Sequence, residues 1–124
     1  MAETFAELYA PLLKEVFTRL ARENMERGAD GLTCALEYAE QGKPDFVLAY
    51  LLLIDLSEGE KRELFAHAYE RRAELSEEKA ESFSVRFRRP FPLVKLEAQK
   101  DRIAARSVRQ GKRIRREVKI PPVS

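Results

Sequence analysis

The sequence predicts an all-α protein: a four- to five-helix bundle around a central buried helix, with an extended basic C-terminal arm. Three features predict this fold. Residues 46–54 are apolar without a break, two stretches carry the S/T-x-x-E pattern that begins helices, and the two parts of the chain carry opposite net charge. At 124 residues the chain is long enough for one domain with a hydrophobic core.

The first helix is expected to begin at Thr4, because Glu7, three residues later, completes a capping box. Apolar residues follow at helical spacing as far as Leu20. Pro11 lies inside this pattern and must kink the helix or restart it, because proline removes a backbone hydrogen bond and crowds the preceding turn. Gly28 is the expected end of the helix.

Asp30 is expected to cap a short second helix that ends at Gly42. The central helix then begins at Pro44, where the missing N–H would be unpaired in any residue, and runs to Ile54. Its apolar run leaves no face for water, so all of it, including residues 51–53, is expected to be buried. A buried strand fits the same run, but proline followed by aspartate favours a helix.

The fourth helix is predicted to begin at a second capping box, formed by Ser57 and Glu60, and to reach about Lys79. From Phe83 the apolar and polar residues alternate, and Pro90 lies in the middle of the stretch. This pattern predicts an extended connector rather than a helix.

The fifth helix is predicted to begin at Pro92, run to about Gln110 and end at Gly111. It is followed by a basic tail with a Pro-Pro pair, to which no regular structure is assigned. Placed at 100° per residue, Lys95, Arg102 and three further arginines share one narrow stripe, and the apolar residues lie outside it.

Charge divides the chain into two regions. Residues 1–81 hold 10 Lys/Arg and 18 Asp/Glu, whereas residues 82–124 hold 13 and 3, so the net charges are −8 and +10. We therefore expect an acidic helical body, 1–81, and a basic region, 82–124, that comprises the connector, the amphipathic helix and the tail. Segregated charge is typical of a chain that meets a partner of opposite sign, inside the molecule or outside it.

The candidate binding residues are the cations of this basic region. The set comprises Arg86, Arg88, Arg89, Lys95, Arg102, Arg106, Arg109, Arg113, Arg115 and Arg116. Nucleic acid is the first expected partner, because the planar guanidinium group binds phosphate through two hydrogen bonds. The alternative is a homodimer or protein-binding adaptor in which the arm packs on the acidic body of its own or a neighbouring chain. A membrane partner is not expected, because the apolar side of the fifth helix is largely alanine and valine.

An enzyme is not expected from this composition. The chain has one histidine, His67, one cysteine, Cys34, and no glycine-rich phosphate loop. Neither a zinc site nor a di-iron site has enough ligands, so no metal or cofactor is predicted. The N-terminus has no signal-peptide pattern, and the single cysteine fits a reducing compartment. The sequence therefore predicts a cytoplasmic, non-enzymatic interaction module.

Overall fold

The computed structural model describes residues 3–114, and this part of the chain contains six α-helices, one 3₁₀ turn and no strand. The predicted all-α class is confirmed. The helices are α1 (Phe5–Tyr9), α2 (Glu15–Glu26), α3 (Gly31–Glu40), α4 (Pro44–Leu51), α5 (Glu58–Phe87) and α6 (Pro92–Arg109).

The predicted helix starts are confirmed. Thr4, Asp30 and Ser57 each accept a hydrogen bond from the backbone N–H three residues later, at 3.0–3.2 Å. Pro44 and Pro92 each occupy the first position of a helix. Each cap uses a donor that the helix itself leaves unpaired, which fixes where the helix begins.

The predicted helix ends at Gly28, Gly42 and Gly111 are also confirmed. All three glycines have positive φ, at +97°, +67° and +67°. In each case the following N–H donates to the carbonyl five residues earlier, at 2.9–3.0 Å, which is the pattern of a Schellman motif.

The segment predicted as the first helix forms two helices, because the helix is interrupted at Pro11 and begins again after it, rather than being kinked there. A 3₁₀ turn, Ala10–Leu12, follows α1, and the two residues after it are extended before α2 begins. Together with the other four this break gives six helices, one more than the upper number expected.

The central helix is shorter than predicted. It ends at Leu51, and the N–H groups of Leu53 and Ile54 both donate to the Tyr50 carbonyl, which closes the helix in a turn. Residues 47–51 are at most 1% exposed, so all-round burial is confirmed there. Phe46 at the start of the run and residues 52–54 at its end are only half-buried, so the prediction of complete burial is wrong for them. The chain leaves the helix at this point, and its side chains lie at the edge of the core.

The prediction of an extended connector from Phe83 is wrong over 83–87, where α5 remains helical. The alternating residues also contain an i, i+4 pair, Phe83 and Phe87, whose ring centroids lie 5.9 Å apart on one helix face. Proline disfavours helical backbone in the residue before it and cannot donate a backbone hydrogen bond to the preceding turn. Pro90 therefore prevents α5 from continuing through it, but it does not prevent the helix from reaching Phe87. Only residues 88–91 remain as a connection between α5 and α6.

The hydrophobic core surrounds α4. Phe5 and Tyr9 of α1 meet Phe65 of α5 edge to face, with centroid distances of 5.0–5.6 Å between the three rings. Ala105 and Val108 bring the end of α6 into the same core. Among residues 3–114, every buried side-chain nitrogen and oxygen has a hydrogen-bond partner.

The helices α5 and α6 form an antiparallel hairpin. Fully buried alanines follow each other at seven-residue intervals, at 66, 73 and 80 on α5 and at 98 and 105 on α6. This spacing is that of a coiled-coil seam, and small side chains let the two helices approach closely. From residue 75 onward, the polar and ring contacts that α5 makes with other residues of 3–114 stay within the hairpin. At 1.5 Å per residue α5 is about 45 Å long, so this half extends away from the core.

Candidate functional site

The structure separates the predicted binding residues into two groups. One group lies along α6 and just after it: Lys95, Arg102, Arg106, Arg109 and Arg113. The other group, Arg86, Arg88 and Arg89, lies where α5 turns into α6. Arg115 and Arg116 lie outside the described residues.

Two of the three arginines of α6, Arg102 and Arg109, are engaged by carboxylates of α5, whereas Arg106 is exposed and forms no ion pair within residues 3–114. Arg109 donates to Glu63 at 2.9 Å and to Glu70 at 3.1 Å. Arg102 donates to Glu77 at 3.0 Å. The stripe predicted for an outside partner is therefore partly neutralised by the chain itself.

These pairs follow from two matching heptad series of opposite charge. The series are Glu63, Glu70 and Glu77 on α5, and Lys95, Arg102 and Arg109 on α6. Residues seven apart lie along one side of a helix. When two such helices pack antiparallel, the two rows lie side by side, so their opposite charges meet. The next α5 position in the series is Ser84, which cannot pair with Lys95. The ladder of opposite charges therefore ends before the turn.

The Arg109 contacts shift the ionisation of the groups that make them. The hydrogen bond from Arg109 lowers the pKa of the Glu70 carboxyl, aided by the positive charge of the guanidinium. Hydrogen bonds from Arg109 to Glu70 and Glu63 raise the pKa of the guanidinium in turn. Both shifts favour the charged pair.

A second cross-helix pair was not predicted. Asp101 of α6 is 7% exposed, and Arg72 of α5 donates to it twice, at 2.9 and 2.7 Å. The hydrogen bond to Asp101 raises the pKa of Arg72. The signal for this pair in the sequence is weak. It consists of two facts: Asp101 is the only acid between residues 98 and 116, and it lies on the side of α6 that faces α5.

The two ends of the described chain are also joined. The hydroxyl of Tyr9 donates to the Lys112 carbonyl at 2.6 Å, and Arg113 lies 3.4 Å from the Glu3 carboxylate. The Arg113 side chain is 78% exposed, so its contact with Glu3 leaves most of the guanidinium in water.

We name residues 82–96 the hairpin tip. This segment contains Arg86, Arg88, Arg89 and Lys95 and no acidic residue. Within residues 3–114, none of these four cations forms an ion pair, in contrast to Arg102 and Arg109. The three arginines of the hairpin tip therefore keep their positive charge, whereas Lys95 lines a pocket with Glu77 and Glu81.

The hairpin tip also exposes apolar surface. Val85, Phe87 and Leu93 are 77%, 55% and 76% exposed. The rings of Phe83, Phe87 and Phe91 form a cluster with centroid distances of 5.8–6.2 Å across the turn. We name these three residues the aromatic cluster.

A cation lies against each ring of the aromatic cluster. Lys79 is 5.9 Å from the centroid of Phe83, Arg86 is 5.6 Å from Phe87, and Arg89 is 5.4 Å from Phe91. The first two pairs join neighbours along α5, and the third lies within the turn. The positive ends of the side chains thus lie beside aromatic faces rather than beside carboxylates.

Arg88 gives the turn a left-handed backbone, with φ +53° and ψ +39°. It is the only non-glycine residue with positive φ among residues 3–114, whereas the ends of α2, α3 and α6 use glycine. A side chain in this conformation costs about 1–2 kcal/mol. Arg88 therefore occupies a position where glycine would be less strained.

The remaining chemistry of the described chain is sparse. His67 Nε2 lies 2.6 Å from Glu40 Oε1 on an exposed surface. Across residues 3–114, no three His, Cys, Asp or Glu side chains converge in a way that could hold a metal ion. In the same region, no helix has both the length and the apolar character that crossing a membrane requires.

Comparisons with protein-family models, with curated proteins and with solved structures find no match to this chain. Its function must therefore be inferred from its own geometry and charge.

Proposed function

We propose that this chain is a non-enzymatic, cytoplasmic binding module whose hairpin tip engages a negatively charged partner, with nucleic acid first. One observation carries the proposal: four cations lie in residues 82–96 without an acidic neighbour in the segment and without an ion pair in the described chain. Exposed cations that are not neutralised inside a protein are available to phosphates.

The hairpin tip supports the proposal better than the cationic stripe of α6. Arg102 and Arg109 would have to leave Glu77, Glu63 and Glu70 before they could bind phosphate. Within residues 3–114, the arginines of the hairpin tip are held by no such carboxylate. Three of the four tip cations are arginine. The planar guanidinium group can donate two parallel hydrogen bonds to one phosphate, whereas a lysine binds phosphate as a point charge.

A second candidate function rests on a different observation. Arg102, Arg109 and Arg113 all contact carboxylates of residues 3–77, so the basic region can pack on an acidic body. If α6 of one chain made these contacts with α5 of a neighbour, the protein would be a homodimer or a protein-binding adaptor. Such a dimer would persist at salt concentrations that release nucleic acid, because its alanine seam is apolar.

The test compares two variants of equal charge change. In the tip variant, Arg86, Arg89 and Lys95 are replaced by Gln. In the control variant, the exposed Arg19, Arg22 and Arg27 of α2 and its cap are replaced by Gln. Binding to a mixed oligonucleotide pool is measured by fluorescence anisotropy across a salt series.

We expect the tip variant to bind with much lower affinity while the control variant binds as the wild type does. The slope of log K against log salt should fall by about 0.7–0.9 for each phosphate that the tip variant no longer binds. Equal weakening in both variants would mean that net charge, rather than the hairpin tip, governs binding. Wild-type protein that binds no oligonucleotide at low salt would contradict the proposal, and a salt-resistant dimer on a sizing column would favour the second candidate.

A further inference from the structure

The aromatic cluster gives the hairpin tip a property that a purely electrostatic site lacks. On the basis of the function proposed above, we propose that the hairpin tip binds single-stranded nucleic acid in preference to duplex, with bases stacked on the aromatic cluster and phosphates held by the neighbouring arginines.

The ring faces are covered by groups that can move. Arg86 and Arg89 lie 5.6 and 5.4 Å from the centroids of Phe87 and Phe91, and no carboxylate of the described chain holds either guanidinium. A guanidinium can therefore leave the ring for a phosphate, and a base can take its place on the ring. The exchange keeps both the cation and the ring in favourable contact.

The exposure of the rings favours an unpaired base. Phe87 is 55% exposed, and Phe83 and Phe91 are half-buried beside it. A phenylalanine ring has no hydrogen-bond donor or acceptor, so it contributes little to reading base edges in a duplex groove. Stacking requires a base whose face is free, which single strands offer and duplexes do not.

The composition of the hairpin tip favours binding that tolerates many sequences. Residues 82–96 contain no Asn, Gln, His or acidic side chain, so the hairpin tip lacks the amides that read adenine and the carboxylates that read cytosine, and only its cations can favour one base, guanine. Stacking and phosphate contacts do not depend on base identity, since every base has an aromatic face. We therefore expect similar affinity for single strands of different sequence.

The test uses the full chain and one oligonucleotide sequence in single-stranded and duplex form. Phe87→Leu keeps an apolar side chain on the helix and removes the aromatic face, and Val16→Ala shortens an exposed apolar side chain of α2, outside the hairpin tip. Phe91→Leu is measured in parallel, so that the result does not depend on one variant. Thermal melting confirms that each variant is folded.

Wild-type protein should bind the single strand more tightly than the duplex. Phe87→Leu should weaken single-strand binding by about 5- to 150-fold, the range for one base–ring stack, without changing the salt slope. Val16→Ala should bind as the wild type does. Equal affinity for both forms, or unchanged binding in both Phe variants, would overturn this inference and leave the proposed function standing. Wild-type protein that binds neither form would overturn both.

Discussion

At the scale of single residues, Gly42 meets two constraints, and Gly28 shares only one of them. Both have positive φ, but a Cβ on Gly42 would lie 2.8 Å from the backbone N and Cα of Arg72, whereas a Cβ on Gly28 would meet no atom within 4 Å. We expect Gly28→Ala to cost about 1–2 kcal/mol from the backbone conformation alone. Gly42→Ala should cost clearly more, because α5 must also move away.

Chemical denaturation of the two variants measures this difference in the free energy of unfolding. Because both substitutions add one methyl group at a left-handed position, Gly28→Ala is a matched control. Equal destabilisation would show that the approach of the α3–α4 turn to α5 at Gly42 is not tight.

Residue-scale features were predictable from the sequence where they are local. Thr4, Asp30 and Ser57 cap helices through atoms within three residues, and each was found from spacing alone. The pair of Arg72 and Asp101 was missed, because its two members lie 29 residues apart and meet only when α6 folds back on α5. Leu52 was expected in the core and is half-buried, since hydropathy does not show where a helix ends.

At the scale of elements, the hairpin of α5 and α6 depends on a seam of alanines. Ala80 is fully buried in the half of the hairpin that extends from the core, whereas Ser82, two residues later, is exposed. We expect Ala80→Leu to cost about 1–3 kcal/mol, because a larger side chain must separate the two helices. Ser82→Leu should change stability by less than about 0.5 kcal/mol, as is usual at the surface.

Thermal melting and the proteolysis rate of the two variants test this seam. Ala80→Leu should also expose the hairpin tip to faster cleavage, because among residues 3–114 the polar and ring contacts of that half lie within the hairpin. A variant with wild-type melting and wild-type cleavage would show that the helices are not closely packed at residue 80.

The hairpin also explains which element the sequence failed to predict. The extended connector was inferred from alternation, a pattern of period two, but Phe83 and Phe87 also satisfy the helical i, i+4 spacing. The seven-residue series of alanines and of opposite charges would have predicted antiparallel pairing of α5 and α6 as far as Ala80, but neither series reaches residues 83–87. Tertiary packing against α6 therefore decided between two patterns that the local sequence allows.

At the scale of the whole molecule, the division of charge was visible in the sequence, but its consequence was not. Composition allowed the basic region to meet acids within the chain or in a partner. Arg102 and Arg109 meet acids of α5, whereas the hairpin tip beyond Ser84 meets none in the described chain. Composition could not show this boundary, because it depends on where the antiparallel ladder of charges ends.

The ion pairs between α5 and α6 predict that the stability of the protein depends on pH. The carboxyl group of Glu70 has a lowered pKa in the folded protein, chiefly because Arg109 donates a hydrogen bond to it. Its contribution to stability is therefore present above the unfolded pKa of about 4.3 and is lost as the pH falls through the folded pKa. Since both side chains are more than a third exposed, solvent screening should limit the contribution to about 1 kcal/mol or less.

We expect Arg109→Gln to melt below the wild type at pH 7, and the difference between the two melting temperatures to shrink as the pH is lowered to 3, because protonation of Glu70 removes its attraction to Arg109. Arg22→Gln, which removes an exposed arginine from α2, should follow the wild type at both pH values. High salt at pH 7 should also reduce the difference between Arg109→Gln and the wild type, because these charges are accessible to ions. A difference that persists unchanged at pH 3 would mean that Arg109 stabilises the hairpin by packing rather than by its ion pairs. A dimer that dissociates in Arg109→Gln would instead show that α6 pairs with the acidic face of a neighbouring chain.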